Sequence, residues 1–125
     1  MKLEFLESGS PDCPLIRLYE FTSREAYQLR RVALQLARSK EITVRLHEQP
    51  NVVAIDGCKL TLQQGKKDRG VSEISSLNFE CVFSKAGWLQ VADLIRPFSR
   101  SAANGFQWLS ETRKVKILLS CDGKW

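Results

Sequence analysis

Apolar residues along this chain alternate between helical spacing and strand spacing, and that alternation predicts most of its elements. Ala26, Leu29, Val32, Ala33, Leu36 and Ala37 gather on one face when residues advance about 100° each, which predicts an amphipathic helix running to Ser39. Thr22 and Glu25 flank its start in the capping-box pattern, where hydroxyl and carboxylate satisfy each other's orphan backbone donors. A strand over residues 15–21 precedes it. Residues 41–48 then alternate, with Ile42, Val44 and Leu46 on one face, and Pro50 ends that strand. Strands over 52–55 and 58–62 flank Asp56 and Gly57, a pair that tolerates positive φ and predicts a type I′ hairpin.

The second half repeats the theme. Leu77, Phe79, Cys81 and Phe83 alternate as a strand. Ser84 can cap a second helix lined by Trp88, Val91, Ala92 and Ile95, which Pro97 is expected to stop. Asn104 and Gly105 mark a turn. Phe106, Trp108 and Leu109 then read as a short helical cover, and residues 115–120 as a closing strand.

The order predicts an α+β domain over residues 1–125. Its core would be a single mixed sheet of about five to six strands, with two main helices packed on one face. The free face would be solvated or would pair with a second subunit. Any parallel strand–helix–strand unit should cross right-handed. The two halves look loosely related, although no residue-level repeat is visible. Residues 1–13 are expected to be loosely ordered, and 64–74 to form a flexible charged loop.

Composition narrows the class. Hydrophobic residues make up 43% and charged residues 26% of the 125, which reads as globular and long enough to bury a core unaided. No apolar run approaches the roughly 20 residues of a membrane span, and the first residues are too acidic for a secretory signal. A soluble, cytoplasmic protein is the expectation. Cys13, Cys58, Cys81 and Cys121 form no close pair, so reduced thiols are expected. With one histidine and dispersed cysteines, neither a metal site nor a cofactor is expected.

The net charge of +5 is unevenly spread. Residues 23–40 hold five basic against one acidic residue, and residues 99–125 hold five against two. Arg24, Arg31 and Arg38 recur at heptad spacing, which puts them in a nearly axial stripe opposite the buried face. Lys66, Lys67 and Arg69 add a basic loop, and Arg113 and Lys114 a basic segment near the end. Together these eight form the candidate surface for an anionic partner. Arg38 and Lys40 also complement the helix dipole, which is a local reason for their charge. Tyr27 and Leu34 either close the core edge or flank the stripe as a contact surface.

Enzymatic signals are sparse. Cys58 as nucleophile, His47 as base and Asp56 as orienter could meet if their strands were adjacent. Asp56, however, is already explained by the turn. Gly65-Lys66-Lys67 lacks the spacing and the hydroxyl of a phosphate loop. The leading expectation is a non-enzymatic protein-interaction or regulatory module. A nucleic-acid-binding domain using the basic helix face of Arg24, Arg31 and Arg38 and the basic C-terminal segment comes second, and a small enzyme with a Cys58/His47 site third. Trp108 and Trp125 fit no core periodicity. Trp125 is expected to fold back and plug a gap, the alternative being an exposed anchor for a partner or ligand.

Overall fold

The computed structural model describes residues 1–101, 104–111 and 113–125. Helix α1, Ser23–Arg38, begins with the expected box: the Thr22 hydroxyl accepts from the Glu25 amide at 3.1 Å, and the Glu25 carboxylate accepts from the Thr22 amide at 2.9 Å. Ala26, Leu29, Ala33, Leu36 and Ala37 are buried, as the periodicity predicts. The second carboxylate oxygen of Glu25 accepts from the Met1 amino group at 2.7 Å. Burial alone would raise the Glu25 pKa, but the hydrogen bonds from that amino group and from Thr22 outweigh it and hold the carboxyl below its usual value. A depressed folded-state pKa stabilises the fold above the ordinary carboxyl value, and the contribution is lost as pH falls through the folded value. Glu25→Gln should therefore cost about 1 kcal/mol near pH 7 and almost nothing in strong acid. Chemical denaturation at the two pH values checks this.

Helix α2, Lys85–Arg100, starts at Ser84, whose hydroxyl accepts from the Gly87 amide at 3.1 Å. It runs through Pro97 instead of stopping there. Pro97 is exposed in the last turn, so its ring points to solvent and it forfeits only one helical hydrogen bond.

Among the described residues, nine strands complete the fold: β1 Lys2–Leu6, β2 Leu15–Tyr19, β3 Thr43–Arg45, β4 Val53–Ala54, β5 Lys59–Gln64, β6 Gly70–Ser75, β7 Asn78–Phe83, β8 Phe106–Ser110 and β9 Lys116–Ser120. They form two mixed sheets in place of the expected single one. The five-stranded sheet has the order β4-β1-β2-β9-β8 and the four-stranded sheet the order β3-β5-β7-β6. Neither helix makes a crossover within a sheet. Helix α1 carries the chain from β2 in the first sheet to β3 in the second, and α2 carries it from β7 back to β8.

This arrangement is a strand-exchanged duplication. Within the first sheet, β1 and β2 are antiparallel, β2 and β9 parallel, and β9 and β8 antiparallel. The second sheet repeats the pattern with β6 and β7, β7 and β5, and β5 and β3. Each half of the chain is thus a β-β-α-β-β unit that gives one hairpin to each sheet, and β4 is an addition to the first half. Aligned on their N-caps, Thr22 and Ser84, the two helices match in burial. Ala26, Leu29, Ala33 and Leu36 correspond to Trp88, Val91, Ile95 and Phe98, all buried, while Tyr27 and Leu89 are both exposed. Two small residues on α1 thus correspond to two large ones on α2, so the related helices fill their shared core without clashing.

The core is continuous. Leu3, Ile16, Leu18, Ile117 and Leu119 from the first sheet join Leu60, Leu62, Phe79 and Cys81 from the second around both helices. The helices therefore pack against each other and against both sheets, not side by side on one.

Other expectations are corrected locally. Residues 46–48 form a 3-10 turn, not a continuation of the strand. Asp56 and Gly57 do adopt positive φ, at 53° and 75°, but no hairpin results. Strand β4 pairs with β1 in the first sheet and β5 belongs to the second, so the turn hands the chain between sheets. Phe106, Trp108 and Leu109 lie in strand β8 instead of a helical cover. The first residues form β1, and the charged loop is only 65–69, because β5 includes Gln64 and β6 begins at Gly70.

Candidate functional site

The 65–69 loop is tied at both ends to helix termini. At its start, the Gln64 side chain donates to the Leu36 and Ala37 carbonyls at 2.8 and 3.1 Å, satisfying orphan acceptors at the α1 C-terminus. At its end, Asp68 accepts from both the backbone amide and the hydroxyl of Ser84, each at 2.8 Å, at the α2 N-terminus. The carboxylate meets the positive end of α2 there. Beyond Asp68, Gly70 has φ +69°, and a Cβ on it would lie 2.5 Å from Arg113 Cγ. Arg113 therefore packs directly against the start of β6.

These contacts bring separate basic segments to one end of the molecule. Arg38 and Lys40 lie at the end of α1, Lys66, Lys67 and Arg69 in the loop, Lys85 at the start of α2, and Arg113 on Gly70; all are exposed. The remaining candidates are placed elsewhere. Arg24 stands at the far end of α1, about 21 Å from Arg38 at 1.5 Å rise per residue. Arg31 is midway, exposed beside Tyr27, which is 47% exposed. Leu34 packs at the core edge. Lys114 lines a cleft between the two sheets with Phe5, Glu7, Val71 and Glu73. The heptad stripe is real as a helix face, but only its C-terminal member joins the loop and Arg113.

The Cys58/His47 arrangement gains no support. Cys58 is fully buried, and burial pushes its thiol up to about 11, far from a ready thiolate. His47 Nδ1 accepts from the Leu60 amide at 3.1 Å, which gives the ring a structural role. Cys81 is also enclosed, and its thiol is raised for the same reason. Among the described residues, no three potential metal ligands gather, and no helix is long and apolar enough to cross a membrane.

A second surface was not assembled from the sequence. The outer face of the first sheet carries Leu15, Arg17 and Tyr19 from β2, Leu118 and Ser120 from β9, and Phe106 and Trp108 from β8. Part of it is roofed by the chain itself, so that Leu15 and Leu118 are fully buried. Arg17 donates to Glu4 at 2.8 and 2.6 Å and to the Gly123 carbonyl at 2.8 Å, and stacks 4.2 Å from the Tyr19 ring centroid. Gly123, with φ +84°, lies so close that a Cβ would come within 3.0 Å of both Arg17 and Tyr19. Trp125 donates its indole N–H to Asp12 at 3.0 Å. Beyond this roof a groove of about 600 Å³ stays open between Ser10, Phe106, Trp108, Lys124 and Trp125. Phe106 and Trp125 are 46% and 36% exposed there. The signal in the sequence was the i, i+2 spacing of Phe106 and Trp108, which puts both rings on one face of a strand. The helical reading hid it.

The second sheet offers no comparable face. Its outward positions include Thr61, Gln63 and Glu80, and Gln63 donates to Glu80 at 2.7 Å. No family model, no curated protein sequence and no solved structure matches this chain.

Proposed function

We propose that this protein is a non-enzymatic binding module whose partner is a nucleic acid, held through its phosphates by the basic end of the molecule. The observation that carries this reading is the convergence of Arg38, Lys40, Lys66, Lys67, Arg69, Lys85 and Arg113 through the Gln64, Asp68 and Gly70 contacts. Asp68 and Glu111, which line one cavity, and Glu41 beside Lys40 offset part of this charge, and the seven cations keep an excess of four over them. Cations ordered around a fixed loop release condensed counterions when they meet a phosphate backbone, and that release drives affinity at low salt. An acidic protein partner would use the same charges and is the competing outcome of the test.

The double variant Lys66→Glu/Lys67→Glu should weaken binding to generic DNA and RNA at least tenfold at about 50 mM salt. It should also lower the slope of log affinity against log salt by roughly one to two units. Both side chains are exposed, so its melting temperature should match the parent's. Fluorescence anisotropy titrations at two salt concentrations measure the effect. Unchanged affinity and slope would reject the basic end as the contact.

A further inference from the structure

We infer that the open groove on the outer face of the β8–β9 hairpin stacks unpaired bases, so that the ligand is a single-stranded nucleic acid; this rests on the nucleic-acid reading above. Phe106 and Trp108 occupy alternate positions of β8 and project from the same face. Their rings meet edge to face, with centroids 6.5 Å apart and planes at 78°. That geometry takes the edge of one ring and a face of the other, and Lys116 lies over Trp108, so the π-surface left for another partner is mainly that of the more exposed Phe106. Trp125 borders the same groove. Three aromatic side chains converging on one groove are more than core packing requires, because two of them remain substantially exposed.

The charges around the groove suit a phosphate backbone. Lys116 sits 5.5 Å over the Trp108 ring centroid, and Lys124 lies on the rim. Asp12 is the one carboxylate side chain in the groove lining, and both its oxygens are engaged, one by Trp125 at 3.0 Å and the other by Lys116 at 3.5 Å. With Lys116 paired to Asp12, Lys124 leaves the groove and its rim one positive charge in excess.

The hairpin also connects the groove to the basic end. Arg113 packs on Gly70, Val115 bridges Val71, and Lys116 then reaches Trp108 and the groove. A strand of β8's length covers roughly 15 Å, the span of a few stacked nucleotides. A backbone held by Lys66, Lys67 and Arg113 could thus lay its bases along Trp108 and Phe106. A duplex cannot do this, because its bases are already stacked on each other.

The test compares a labelled oligothymidylate of about 12 nucleotides with a duplex of equal length, titrated against the parent, Phe106→Ala and Trp125→Ala. Each variant should lose about tenfold in single-strand affinity and keep the parent's duplex affinity. Intrinsic tryptophan fluorescence should fall when the single strand binds. Circular dichroism of both variants should match the parent's; Trp125→Ala, which loses the Asp12 hydrogen bond, should melt a few degrees lower, and all titrations are run well below either melting temperature. If both variants bind the single strand as the parent does while Lys66→Glu/Lys67→Glu binds weakly, base stacking is rejected and the basic-end reading survives. If the parent binds neither nucleic acid but binds polyglutamate, both readings fall in favour of an acidic protein partner.

Discussion

Trp88→Ala should destabilise the protein by about 4 kcal/mol, one of the largest losses a single truncation can produce in this core. Trp88 is 3% exposed on α2, and its ring meets Phe83 of β7 edge to face at 5.0 Å. Its indole N–H donates to the Gln63 carbonyl of β5 at 3.0 Å. One side chain therefore ties the second helix to two neighbouring strands of the second sheet. Truncation removes that area from the core, leaves a void and strips a partner from a backbone carbonyl. Thermal melts should show a drop of roughly 15 °C. Leu89→Ala, one residue along and largely exposed, should shift stability by less than about 0.5 kcal/mol. Equal losses for the two would mean that α2 is rotated from the orientation described.

The second large effect concerns the exchanged strands. Produced as separate chains, residues 1–66 and 67–125 should each lack a cooperative melt, and mixing them one to one should restore it. The first half alone would hold the β1–β2 hairpin with β4, and the β3–β5 hairpin, with no β9 or β7 to join them into full sheets. Small hairpins of this kind are marginal in water. A chain of about 60 residues also buries too little surface to offset its ordering entropy comfortably. Mixing supplies the two parallel pairings, β2 with β9 and β5 with β7, together with the α1–α2 contact. Circular dichroism and the mass of the mixed complex check the outcome. A cooperative melt from either half alone, at the mass of a monomer, would show that the halves are independent domains.

Both expectations depend on features with very different legibility in the sequence. The elements themselves were largely readable. The capping box at Thr22 and Glu25, the buried stripe of α1 and the alternation through Phe79, Cys81 and Phe83 are local patterns set by backbone hydrogen bonding and by the geometry of one element. The same local reading failed where a neighbour outside the window decides. Pro97 stays helical because its ring faces solvent in the last turn. Phe106 to Leu109 become a strand because β9 is there to pair with them.

The candidate surfaces divide in the same way. Arg24, Arg31 and Arg38 share a helix face because heptad spacing requires it, and the sequence alone establishes that stripe. Their relation to the other charges is decided by single tertiary contacts. Gln64 and Asp68 bind the loop to two helix ends, and Gly70 receives Arg113, whereas Lys114 turns into the cleft between the sheets. The groove of Phe106, Trp108 and Trp125 needs strand β8 and the chain's final residues to meet on one sheet face.

The sequence by itself determined both helices and most strands, though not β1, β6 or β8, where α1 begins, and that its charge is concentrated in two regions. Only the tertiary structure decided that there are two sheets instead of one, that the halves exchange hairpins, and which basic and aromatic residues become neighbours. Helix periodicity and capping act over a few residues. Strand partnership joins β2 to β9 from opposite ends of the chain, and it is selected by how well the whole core closes.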